Sequence, residues 1–294
     1  MGAFEVLAQP EMAWMYARAL IAGACIVAAC ALLSVLVVLK RLAFVGQGIS
    51  HAAFGGVGLA MLIGALAPAL RISGVEFAVL LLFCVATALG IARATRSGDG
   101  GEGNSMHEDT AIGVFLVGSM AAGALLVQLS RSIAESRGVA LAGRSWESIL
   151  FGSILATGWL EVALGGAVLA VIVGVLTLVR RPLLFWAMDE GSAQAFGVPT
   201  PHVRAVLMVL LALVVVTATK LAGVVLATAL LVLPGAAALR LTRRLAPVLV
   251  TSILIGLIGL VGGLALSLVT NWQPGPSVVL VLTALLGGAS LWGR

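Results

Sequence analysis

Most of this chain is divided into apolar runs about as long as a bilayer is thick, which leaves few folds open to it. A helix that crosses the hydrocarbon layer needs about 20 apolar residues. Such runs lie at 17–39, 44–66, 75–92, 110–129, 156–179, 203–219, 222–239, 246–269 and 277–292. Only 10% of the residues are charged, against roughly 25% in a soluble domain, too few to cover a water-facing surface. The chain is therefore expected to be an all-α, polytopic transmembrane helical bundle of about 8–9 spans, forming a single transmembrane domain over residues 1–294. The run from Ala17 to Leu39 is too long for a signal-peptide core and ends in Lys40 and Arg41, so it reads as a first span.

The charges give a topology. Lys40 and Arg41, Arg93 and Arg96, Arg180 and Arg181, Arg204, and Arg240, Arg243 and Arg244 fall in alternate connections. The positive-inside rule places those connections in the cytoplasm, with the N-terminus outside and the C-terminus inside. Residues 130–155 carry three arginines on the expected outer side, balanced by Glu135 and Glu147, and leave room for a short re-entrant helix. The net charge of +5 is read as topology signal. No basic patch is interleaved with aromatics, so no nucleic-acid partner is expected. Cys25, Cys30 and Cys84 form no CxxC pair and read as small packing residues.

Two hydrophilic stretches interrupt the pattern. Residues 97–109 are Gly-rich and acidic and include His107, as expected of an exposed loop. Residues 180–201 are too polar to span, but Met188 to Phe196 suits a short helix. Asp189 and Glu190 would occupy its first turn, where the helix dipole favours acids, and Gly197 and Pro199 would stop it. A short helix in a cytoplasmic loop, here about 180–202, is either a docking knob for a soluble partner or an ordinary interfacial helix.

The segment FVGQGISHAAFGG, Phe44 to Gly56, puts polar groups inside an apolar run. Gly48, Ala52, Gly56, Ala60 and Gly64 form a stripe of small residues at a four-residue step, which predicts close contact with another helix. Gln47 and His51 are also four apart and stack on the edge of that face. An ionisable side chain inside a membrane is a functional-site candidate, and neutral imidazole is a common ligand for transition metals. The alternative is a histidine that hydrogen-bonds a backbone carbonyl and ties two helices together. Ser50 is adjacent in sequence, but neighbouring side chains on a helix diverge, so Ser50 and His51 form no catalytic dyad.

Other chemistry is absent. There is no phosphate-binding GxxxxGK[ST] loop: the two lysines are Lys40 and Lys220, and neither follows a glycine. HExxH and GxSxG are missing too, so no enzyme activity is expected of the chain itself.

Taken in order, the motifs resemble a known family. Lys40 and Arg41 followed by FVGQGISHAAFGGVGLA, then EDTAIGVFLVGSMAAGALL (108–126), ILFGSIL (149–155), DEGSAQAFGV (189–198), KLAGVVLATALLVLPGAAALRL (220–241) and NWQPGPSVV (271–279) resemble the permease subunits of ABC-type importers of divalent transition metals, the ABC-3 family. The resemblance implies a bacterial inner-membrane homodimer, a separate ABC ATPase that binds the ATP, and an extracytoplasmic metal-binding protein. The cargo would be zinc, manganese or iron, with no permanently bound cofactor. It also implies an ion path through His51, Gln47, Ser50 and Asn271, ATPase coupling through Asp189, Glu190, Ala193 and Gly197, and a kink or gate at Pro234. Two amides depart from the family pattern: Gln47 replaces an aspartate, and Asn271 stands where an acid is frequent. An amide offers a cation only a carbonyl dipole. The alternatives are an ABC permease for chelated iron or a cobalamin-like ligand, and an ion-coupled secondary transporter, although the latter normally buries acids within its spans.

Overall fold

In hydrocarbon there is no water to pair a free N–H or C=O, so each apolar run has to close its hydrogen bonds within itself as a helix. The computed structural model describes residues 10–70, 72–95, 108–138, 152 and 157–292. The helices are α1 (Pro10–Leu39), α2 (Ala43–Leu66), α3 (Ser73–Ala94), α4 (Glu108–Ser136), α5 (Trp159–Leu178), α6 (Arg180–Met188), α7 (Glu190–Ala195), α8 (Thr200–Ala222), α9 (Val224–Leu230), α10 (Leu233–Leu241), α11 (Leu245–Thr270) and α12 (Pro274–Trp292). Among the described residues, 9 stretches are long and apolar enough to cross a membrane, with α9 and α10 counting together as one. Helix α4 runs through residues 130–136 without interruption. His107 and most of the 139–156 segment lie outside the described residues.

Two compact units divide the chain. The first holds α1, α5 to α7, α9 to α12 and the last residues of α8. Its core is the crossing of α1 with α10 and α11. Small residues allow this crossing: a Cβ on Gly235 would lie 2.5 Å from Ser34 Oγ, and one on Gly256 would lie 2.6 Å from Val27. Hydrogen bonds reinforce it. The Gly235 N–H donates to Ser34 Oγ at 2.9 Å, and the Ser252 hydroxyl donates to the Ala31 carbonyl at 2.9 Å. Helices α11 and α12 form an antiparallel pair in which a Cβ on Gly263 would lie 2.3 Å from the Val278 Cα.

The second unit holds α2, α3, α4 and residues 201–216 of α8. The predicted small-residue stripe packs as expected at Gly48, which faces Ile112, and at Gly56, which faces the backbone of Leu80. Ala52 and Gly64 are buried and Ala60 is half-buried. The closest approach nevertheless uses glycines outside the stripe. A Cβ on Gly58 would lie 2.7 Å from the Gly123 carbonyl oxygen, and one on Gly123 would lie 2.7 Å from that of Phe54. Helices α2 and α4 thus meet backbone to backbone, and α2 uses a second face for the purpose.

Contacts within each unit pair the helix ends that the charge rule assigns to one side. In the first, Lys40 reaches Glu190. In the second, Arg204 donates to Thr95 Oγ1 at 2.8 Å, and at the opposite end Arg137 donates to the Leu66 carbonyl at 3.0 Å. Trp14, Trp159, Trp272 and Trp292 are exposed near span ends, where amphipathic rings settle at the membrane interface.

The α2–α4 contact gives an internally controlled test. Gly123→Ala places a methyl against backbone and should destabilise the purified protein by about 1–3 kcal/mol, as overpacking does. Gly118→Ala on the same helix meets nothing within 4 Å and should be neutral or slightly stabilising. Thermal unfolding of both variants in detergent checks the contrast.

Candidate functional site

Helix α2 begins after a three-residue turn, Lys40 to Leu42, and its first turns carry the polar groups. Val45, Gly46, Gly48, Ile49 and Ser50 are buried, whereas Phe44 and Gln47 are exposed and His51 is half-buried. Positions 44, 47 and 51 lie on one face at helical spacing, so the imidazole and the amide project outward from the packed side. Ser50 is turned inward, and its hydroxyl donates to the Gly46 carbonyl at 2.8 Å. It is spent on the backbone of its own helix, as serines inside helices commonly are.

The His51 ring is held from two sides. Its Nδ1 lies 3.0 Å from the Gln47 carbonyl oxygen, and the Phe54 ring stands 6.1 Å away, tilted by 47°. A carbonyl only accepts, so in the neutral ring Nδ1 carries the proton and Nε2 presents its lone pair. This is the usual arrangement of a ligating histidine, with one nitrogen fixed by a hydrogen bond and the other free to bind. The hydrogen bond stays within α2 and does not tie two helices together. Among the described residues no group of three or more His, Cys, Asp or Glu side chains converges. One chain therefore offers a cation one imidazole nitrogen and one amide oxygen at this level.

The 180–197 loop is more structured than its sequence suggests. Residues 180–188 form α6, with Leu183, Trp186 and Ala187 buried. The expected helix over 188–196 is shorter, α7, and Asp189 precedes it as its N-cap. The Asp189 carboxylate accepts from the Gly191 and Ser192 N–H groups at 3.0 and 3.2 Å and from the Ser192 hydroxyl. These bonds, led by the Ser192 hydroxyl, hold its pKa below the ordinary 3.8, with the charge of Lys40 adding to the effect. A lowered carboxylate pKa means that the cap is fully formed above 3.8 and is lost only as pH falls through the lower folded value.

At the other end of α7, Gly197 has a φ of +80°, the Gly197 N–H donates to Gln194 and the Val198 N–H to Ala193, both at 3.0 Å. That pair of bonds is a Schellman stop. Ala193 is fully buried. It anchors α7 from beneath, while Asp189, Glu190, Gln194 and the rings of Phe185 and Phe196, whose centroids are 5.7 Å apart, are exposed.

Sequence reasoning treated Lys40 as a topology signal and overlooked Trp186. The Lys40 ammonium lies 3.1 Å from Glu190 Oε2 and 4.1 Å from the centroid of the Trp186 ring. Glu190 is half exposed, so the ion pair contributes about 0–1 kcal/mol. The largely covered ammonium over a buried indole contributes about 0.5–2 kcal/mol, so the ring contact is the stronger hold. The indole N–H of Trp186 meets no acceptor among the described residues, a cost of about 1–3 kcal/mol that the ring face helps to offset.

Pro234 lies just after an interruption in a span. The break falls at Leu231 and Val232, and Pro234 sits in the first turn of α10. Its missing N–H leaves the Leu230 carbonyl without its helical donor, while the next N–H, of Gly235, is given to Ser34. A second interruption at Gly223, with a φ of +84°, separates α8 from α9. Gly152 packs on the Ala222–Gly223 peptide so closely that a Cβ would lie 2.4 Å from it. Lys220 occupies the last turn of α8, where its charge complements the helix dipole, and His202 is exposed.

The model of the ABC 3 transport family matches residues 12–292. The chain belongs to that family. It is 33% identical over 260 residues, 87% of this chain and 80% of the relative, to the manganese transport system membrane protein MntC of Halalkalibacterium halodurans. It is 28% identical, over 95% of this chain and 85% of the relative, to the chelated iron transport system membrane protein YfeD of Yersinia pestis. Among solved structures it resembles PsaBC from Streptococcus pneumoniae in complex with Fab, with a TM-score of 0.76 and 26% identity, covering 98% of this chain and 94% of that one. Of the two amides that depart from the ABC 3 pattern, Asn271 has a local reason. It ends α11 in the left-handed region at a φ of 56°, exposed in the turn before α12, a conformation in which asparagine is enriched. Gln47 has no such constraint, because it lies within regular helix.

Two substitutions test this geometry. Ser34→Ala deprives the Gly235 N–H of its acceptor and should lower stability by about 1–3 kcal/mol, measured by thermal unfolding. Gly197→Ala forces a methyl group into a left-handed residue and should cost about 1 kcal/mol, seen as faster amide exchange in α7, whereas Gly197→Asn should be milder.

Proposed function

We propose that this chain is the membrane permease of an ATP-driven importer of divalent transition-metal ions, with manganese or iron(II) as first candidates and zinc as the third. Two copies line the path in the bacterial inner membrane. A separate ABC ATPase docks on the 189–197 loop, and an extracytoplasmic metal-binding protein delivers the ion. ATP is bound and hydrolysed on the partner, and the path alternates between outward- and inward-facing states.

The observation that carries this reading is the outward polar stripe of α2. An imidazole and an amide on the surface of a membrane span cannot face lipid without cost. They need a water-filled path or a second copy of the chain. One chain supplies two neutral ligands, and two copies supply four, a nitrogen and oxygen set that first-row divalent metals accept. Gln47 adds no negative charge, so the site binds weakly and releases readily, as suits a step in a path. The names of MntC and YfeD support a metal cargo for the family. The second of these keeps chelated iron open as the alternative substrate. A proton- or sodium-coupled transporter is disfavoured by the acids: Glu161 accepts from the Gly158 N–H at 3.0 Å and caps its own helix, and Glu76 lies in the first turn of α3.

The test is uptake of manganese, iron(II) and zinc into proteoliposomes holding the chain and its ATPase. One metal should enter only with ATP, and His51→Ala should cut the rate by about tenfold or more, at least the cost of losing an outer partner of a ligand. Gln47→Asp adds a full charge and should lower the metal concentration for half-maximal uptake. Unchanged uptake in His51→Ala removes the ring from the path. An assembled complex that moves no free metal, but does move an iron chelate, establishes the alternative.

A further inference from the structure

We infer that Lys40 is a latch that clasps both sides of the α6–α7 joint to the end of the first span, and that this latch couples the docking loop to transport. The inference rests on the reading of the 189–197 loop as the ATPase docking site. Trp186 belongs to α6 and Glu190 is the first residue of α7, with Asp189 as the extended residue between them at a φ of −150°. An ammonium 3.1 Å from the Glu190 carboxylate and 4.1 Å from the Trp186 ring spans that joint. It fixes the angle between the two short helices from outside the loop.

The loop is tied covalently to α5 and α8 at its ends. Beside the buried Ala193, Lys40 adds a hold from a part of the chain 150 residues away. The Lys40 side chain is only 14% exposed although it sits at a helix end, whereas a lysine that merely reaches for the interface keeps its head in water.

The backbone beneath the latch is well defined. The Leu42 N–H donates to Val37 at 2.8 Å and the Arg41 N–H to Val38 at 3.1 Å, which closes α1 with a Schellman turn. Arg41 holds the left-handed position of that turn at a φ of 58°, where glycine is usual. The chain then enters α2 at Ala43 and reaches Gln47 and His51. A tilt of α7 by a docked partner is therefore applied at the turn from which the polar helix starts. A lysine serving only as a topology signal needs neither the indole nor the carboxylate.

The experiment uses the chain with its ATPase in proteoliposomes and measures metal delivered per ATP hydrolysed. Lys40→Met keeps a long side chain over the ring and removes the charge. The complex should assemble and hydrolyse ATP, but the metal delivered per ATP should fall by about fivefold or more, the lower end of ordinary coupling between sites. Lys40→Glu and Glu190→Lys should each behave similarly, and the double exchange, which restores the ion pair but not the cation over the Trp186 ring, should recover only part of the loss. Amides of residues 190–198 should also exchange faster in Lys40→Met than in the wild-type chain alone. If Lys40→Met assembles with an unchanged ratio, or leaves exchange over 190–198 unchanged, the latch is overturned and docking on the loop stands. If the wild-type chain fails to bind its ATPase, the docking reading fails first and the coupling role falls with it. Lys40→Arg, which preserves the charge over the ring, should keep the wild-type ratio and guards against a mere folding defect.

Discussion

Backbone hydrogen bonding in a medium without water is the constraint from which the rest of this structure follows. It makes each apolar run a helix, and it also requires a substitute wherever a helix is interrupted. The break before Pro234 shows how the demand is met. The N–H of Gly235 finds Ser34 on the first span, and the close approach that permits this bond requires a residue without a side chain. At Gly223, Gly152 packs directly on the Ala222–Gly223 peptide, where a Cβ would not fit. Glycine and serine thus act here less as flexible or polar residues than as the means by which one backbone reaches another.

The polar groups on α2 stand apart from this economy. The hydroxyl of Ser50 and the Nδ1 of His51 are both spent on carbonyls of their own helix. What projects outward is the Nε2 lone pair and the Gln47 amide. In a medium that penalises exposed polarity, such a stripe is retained for what will meet it. On the proposed function, two copies of the chain and a passing cation would satisfy it, as lipid does not. The 180–197 loop follows a comparable logic: its inner side is pinned by Ala193, Trp186 and Lys40, and its outer side shows rings and acids to water.

The spans were legible in the sequence because length and apolarity decide them: each expected run coincides with a helix or, at 222–239, with the broken pair α9 and α10, although α1 starts seven residues before its run and α4 ends seven residues after its own. So was the small-residue face of α2, because a four-residue step is a strong signal. The contact through Gly58 and Gly123 was not, since those glycines fall outside the stripe and only the partner helix reveals why they are small. The short loop helix was expected from Met188 and starts at Glu190, because an acid in a first turn and an acid as N-cap look alike until the backbone is seen. Lys40 was read as a membrane-side charge, and nothing in its neighbours in sequence points to Trp186 or Glu190. Asn271 looked like a weakened ligand, and its left-handed turn supplies a conformational reason for an amide instead.

The serine stitches on the first span have a consequence for biosynthesis. Ser34 meets its partner 201 residues later in the chain, and Ala31 meets Ser252 across a gap of 221 residues. Helix α1 thus cannot complete its packing until α10 and α11 have been made. The α2–α3–α4 group, by contrast, packs among close neighbours in sequence and can order early, as domains built from local contacts do. Until α10 and α11 arrive, the face of α1 that carries Ser34 and Val27 stays open to lipid or to whatever insertion factor shelters it. Damage to α10 or α11 would therefore be felt at α1.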